Sequence, residues 1–71
     1  MSGSFLLQPL LEEICAKFRL SFFFKPGEYI SVEDVYRVLQ PCSNTPDLLF
    51  KRLVDDGVLS FTDKRGVVQL H

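Results

Sequence analysis

The sequence predicts a small α+β domain of three helices, one short strand and a C-terminal two-stranded hairpin. Three observations carry this prediction. Two helical segments with start and stop signals fill residues 31–57, separated by a proline break. Another helical period precedes them over residues 9–19. After Gly57 the apolar residues alternate instead, which is the period of a strand.

The first helix is expected from Pro9 to Arg19, after a flexible start over residues 1–8, so that the domain spans 9–71. Leu10, Ile14 and Phe18 recur every four residues, with Leu11 and Cys15 beside them, and form the apolar face. Glu12, Glu13, Lys17 and Arg19 cover the other side, where Glu13 and Lys17 stand as a favourable pair four residues apart. Phe5, Leu6 and Leu7 either extend the packing or cover an edge. Then comes the triple aromatic Phe22, Phe23 and Phe24, closed by the turn pair Pro26 and Gly27. Three consecutive side chains cannot share one face of a regular element. Two are expected in the core and one at the surface, where it would be a partner contact.

Glu28 to Ile30 reads as a short strand. Ser31 then caps the second helix, with Asp34 three residues on in the manner of a capping box. Val32, Val35, Tyr36 and Leu39 share a face of that helix. Pro41 ends it, because the residue before a proline is driven from the α region. Thr45 caps the third helix, and Pro46 takes the first helical position, where its missing N–H costs nothing. Asp47 suits the positive end of the dipole, and Gly57 supplies the left-handed stop. Leu59 with Phe61, and Val68 with Leu70, then alternate on either side of a polar loop from Asp63 to Gly66.

The order of elements resembles the winged-helix (winged helix-turn-helix) superfamily over nearly the whole chain after Gln8. Its most specific part is Phe50 and Leu53 on the third helix, then Gly57, Val58 and Leu59 opening a hairpin whose loop 63–66 would be the wing. Tyr29 to Tyr36, with Phe61 to Val68, is also similar to the winged-helix modules of the ESCRT-II sorting complex. The superfamily implies two roles. One is duplex DNA binding, with the third helix in the major groove and the wing on the backbone. The residues for that role are Asn44, Lys51, Arg52, Lys64 and Arg65. The other is protein interaction within a multi-subunit assembly. Phe22, Phe23, Phe24, Leu48 and Leu49 are the candidates there. Leu48 and Leu49 stand where DNA readers are usually polar, and Asp47 would repel phosphate. Interface cores are rich in aromatics and poor in charge, so the protein role is preferred, through a protein partner or self-association, which the sequence does not rank.

Composition sets the remaining bounds. Seventy-one residues make one domain, and a chain this short buries only about 60% of its unfolded surface, so its core must be dense. The composition is 46% hydrophobic with seven Phe, which excludes general disorder. A formal net charge of −1 is a poor global footprint for nucleic-acid binding. No segment reaches the length of a membrane span, and the start has no basic leader. Cys15 and Cys42 permit one bridge, but free thiols in a reducing compartment are the simpler expectation. An intracellular protein, cytoplasmic or nuclear, follows from these readings. Two Cys and one His at these separations predict no metal site, and no motif predicts a cofactor or small-molecule substrate. The neighbouring carboxylates Glu12–Glu13 and Asp55–Asp56 diverge on a helix, and His71 has no predicted catalytic partner, so no enzyme is expected.

Overall fold

The structure, a computed structural model, describes residues 2–71, with side chains from Leu10 onward. The elements are α1 (Ser2–Phe23), β1 (Tyr29–Ser31), α2 (Val32–Leu39), a 3-10 turn (Gln40–Cys42), α3 (Pro46–Asp55), β2 (Leu59–Phe61) and β3 (Val67–Leu70). This is the expected α+β layout, with the strands in one antiparallel sheet of order β1-β3-β2. Met1, at the start of the expected flexible segment, lies outside the described residues. From Ser2 the backbone belongs to α1, which begins well before Pro9 and runs on through Phe23.

Local chemistry sets most of the boundaries. Ser31 is the last residue of β1 and also the cap of α2, where its Oγ accepts the Asp34 N–H at 3.2 Å. Pro41 falls in the 3-10 turn, as its break predicts. Pro46 opens α3, but the Thr45 side chain makes no capping bond. Ser43 does the polar work there instead, its hydroxyl accepting the Thr45 N–H at 3.0 Å. Gly57 follows α3 at φ +83°, and a Cβ there would meet open space, so the constraint is backbone conformation alone.

The β3 strand is central. It pairs Ile30 with Val68 on one side and Leu59 with Leu70 on the other. Ile30, Leu59, Val68 and Leu70 point inward and close the core against Val35, Val38 and Leu39 of α2 and Leu49, Phe50 and Leu53 of α3. Phe61, opposite Val68 on the same face, lies at its exposed margin, where its ring meets Phe50 edge-on at 6.1 Å, and Phe50 meets Tyr36 at 5.3 Å. The Thr62 hydroxyl donates to the Val67 carbonyl at 2.9 Å and fastens the base of the 63–66 loop.

The orientation of α1 is opposite to the expectation. Among its described side chains Ala16 and Leu20 are fully buried, whereas Leu10, Leu11, Ile14, Phe18 and Phe22 are exposed. The side bearing the charges faces the domain. Arg19 Nε donates to the Val38 carbonyl at 2.9 Å. Glu13, which feels the charge of Lys17, also reaches Arg52 of α3 at 3.5 Å. Glu12 accepts from the Ser43 hydroxyl at 3.1 Å. Cys15 is bonded to Cys42 across Cα atoms 5.8 Å apart, an ordinary separation for a disulfide. This bond corrects the expectation of free thiols, and with it the thiol argument for a reducing compartment falls away. The small Ala16 lets the helix approach closely, Leu20 packs into the core, and polar and covalent links add to these.

Candidate functional site

Two outward surfaces carry the residues singled out from sequence. The first is the solvent side of α1. On a helix, positions four apart lie in one row. Leu10, Ile14, Phe18 and Phe22 are such a row, with Leu11 beside it. Phe18 is 72% exposed and Phe22 75%. Of the triple aromatic only Phe24 packs against the core. Two were expected inside, but α1 continues to Phe23 and carries the first two outward. The Phe23 ring lies edge-on to Phe22 at 5.1 Å and beneath the Arg19 guanidinium at 5.5 Å. That cation–π contact holds Phe23 beside the domain, and Phe22 extends the exposed row.

The second surface is α3 with the 63–66 loop. Leu48 is 59% exposed, but Leu49 is 1% exposed and belongs to the core. Successive helical residues differ by about 100° around the axis, so the two leucines separate. Leu49 is therefore corrected from a surface contact to a packing residue, as is Phe24. Asn44, Lys51, Lys64 and Arg65 are exposed. Arg52 is engaged with Glu13. Lys64 borders a shallow groove beside β1, together with Tyr29, Ser31, Thr62, Asp63 and Val67. Arg52 is thus turned to α1 while Lys64 stands beside β1.

Acidic groups are interleaved with these cations. Asp47 accepts a hydrogen bond from the Tyr36 hydroxyl, and that bond, with partial burial and the Asp47 charge, raises the Tyr36 pKa. At the other end of α3, Asp56 meets Glu13. Burial raises the Glu13 pKa from its ordinary 4.5, and the hydrogen bond to Asp56 and its charge add to this, partly offset by Arg52 and Lys17. Asp56 therefore has a structural neighbour in Glu13.

The Ser60 hydroxyl and the His71 ring are hydrogen-bonded at the exposed end of the sheet, without a bonded carboxylate to orient the imidazole among the described contacts. Among the described residues no group of three or more His, Cys, Asp or Glu is placed to hold a metal ion. Nor is any described helix long and apolar enough to cross a membrane.

The molecule so defined is a mixed α+β domain of three helices and a three-stranded antiparallel sheet, compatible with a winged helix. No protein-family model matches the chain, and no solved structure matches it. It is 37% identical over 65 residues to the uncharacterized protein ORF93 of Acidianus filamentous virus 2 (isolate Italy/Pozzuoli), an alignment covering 92% of this chain and 70% of that protein. The chain belongs to the family of that viral protein.

Proposed function

We propose that this chain is a non-enzymatic winged-helix module for protein–protein interaction, working within a multi-subunit assembly. The observation that carries the reading is the outward apolar row of α1. A helix normally turns such a face to its own core. Here the domain is complete without it, and Leu10, Leu11, Ile14, Phe18 and Phe22 remain in solvent. Together they expose on the order of 600 Å² of apolar surface, at the upper end of the largest patch on an ordinary monomer. The order of elements and the Gly57 turn into the hairpin support the winged-helix assignment.

The competing role is duplex DNA binding through Asn44, Lys51, Arg52, Lys64 and Arg65. Against it stand the ion pair that occupies Arg52, the exposed Leu48, and Asp47 at the entry to α3. A backbone amide NMR titration with a random-sequence DNA duplex, at low and then higher salt, tests the choice. Unshifted α3 and 63–66 amides are expected. Shifts confined to those two segments and reversed by salt would mark a phosphate-binding face and overturn the interaction reading.

A further inference from the structure

We infer that the partner of the α1 row is a second copy of this chain, bound through a two-fold crossing of the two α1 helices. The inference rests on the interaction reading above and names its occupant. Four features of the row argue for self-association. Leu10, Ile14, Phe18 and Phe22 form an unbroken row at four-residue spacing, and two such rows interdigitate at a crossing angle of about −50°, the commonest helix packing class. The row is self-complementary about its midpoint. With the axis between Ile14 and Phe18, each Ile14 meets the partner's Phe18, and Leu10 and Phe22 close the two ends. An aliphatic side chain thus faces an aromatic one at each central contact, which lets the layers interlock.

Charge is the third feature. The row holds no ionisable group from Leu10 to Phe22, so the two-fold brings no like charges together, and Lys17 only borders it. A formal net charge of −1 leaves little long-range repulsion between copies. The fourth is area. Two faces of on the order of 600 Å² would bury at most roughly 1,200 Å² in all, at the lower limit of specific protein interfaces. The row also stands opposite Ala16 and Leu20, so the pairing leaves the domain's own packing and the Cys15–Cys42 bond undisturbed.

Sedimentation equilibrium on the full chain, from micromolar to millimolar concentration, tests this. The expected result is a concentration-dependent rise from the 8.2 kDa chain to twice that mass. Phe18→Glu and Ile14→Glu each place two carboxylates in the apolar contact and should raise the dimer Kd by at least ~100-fold. Both sites are exposed, so each variant should keep the circular dichroism and the disulfide of the parent. Leu48→Glu on α3 should leave the dimer intact. A monomer at every concentration, a dimer indifferent to both α1 substitutions, or one broken only by Leu48→Glu would overturn the inference. The DNA titration judges the interaction reading separately, so a monomer that ignores DNA refutes the second copy without refuting the module.

Discussion

Breaking the Cys15–Cys42 bond should cost this domain a large part of its stability. The bridged residues are 27 apart in sequence. In the chain-entropy account, closing a loop of that size removes about 3.5 kcal/mol worth of freedom from the unfolded chain. A domain of this length has roughly 4–10 kcal/mol of stability in total. Each kcal/mol moves the midpoint of a small domain by several degrees, so the loss corresponds to about 20 °C in Tm. The bond also fastens α1 to the turn after α2, while the nearby attachments of that helix are polar. Thermal unfolding followed by circular dichroism, with and without reductant, gives the comparison. The double variant Cys15→Ser with Cys42→Ser separates loss of the bond from effects of the reductant on the solution. Two outcomes would refute the reasoning. One is a Tm that moves by only a few degrees in both cases. The other is recovery of both thiols from chain unfolded without reductant.

Two further outcomes follow from the packing and the carboxylates. Leu49→Ala empties a core position and should destabilise by about 2–5 kcal/mol, whereas Leu48→Ala should stay within about 0.5 kcal/mol; urea denaturation of the pair checks it, and equal effects would contradict the assigned faces. The Glu13 carboxyl binds its proton more tightly in the folded chain than in the unfolded one. Its contribution is therefore fully present below the ordinary 4.5 and is lost as pH rises through the elevated folded value. The difference in stability between the parent and Glu13→Gln, measured by urea midpoints across that range, should move against the parent as pH rises, and a flat difference would refute the assignment.

Positions at which one backbone signal dominates were legible in the sequence. Ser31, Pro41, Pro46 and Gly57 act within a turn of themselves, and the structure uses each where its chemistry predicts. The hairpin was legible because alternation and a polar loop ending in glycine belong to one element. The facing of α1 was not. Periodicity reveals that Leu10, Ile14 and Phe18 share a side, but it carries no sign saying whether that side meets the domain or something beyond it. A clue existed in Ala16, a small residue among charges at the spacing that precedes Leu20, which permits close approach. The partners Arg52, Ser43 and Val38 that hold the charged side are distant in sequence, and so is Cys42. Leu48 and Leu49 show the same limit at finer scale, since a one-residue error in the centre of a face exchanges core for surface.

The inverted seating of α1 means that its two sides answer differently to temperature. Its inner side combines the buried Ala16 and Leu20 with an ion pair, hydrogen bonds and a covalent bond. Its outer side carries the apolar row from Leu10 to Phe22, with Ser21 within it and Lys17 at its border. Attraction between apolar surfaces weakens on cooling, because its driving force near room temperature is the entropy of water. A partner held by the proposed contact would therefore loosen on cooling before α1, which the disulfide ties to its own domain, is released. In the proposed assembly the helix would be a fixed handle whose grip weakens with cold while the Cys15–Cys42 bond keeps it on its own domain.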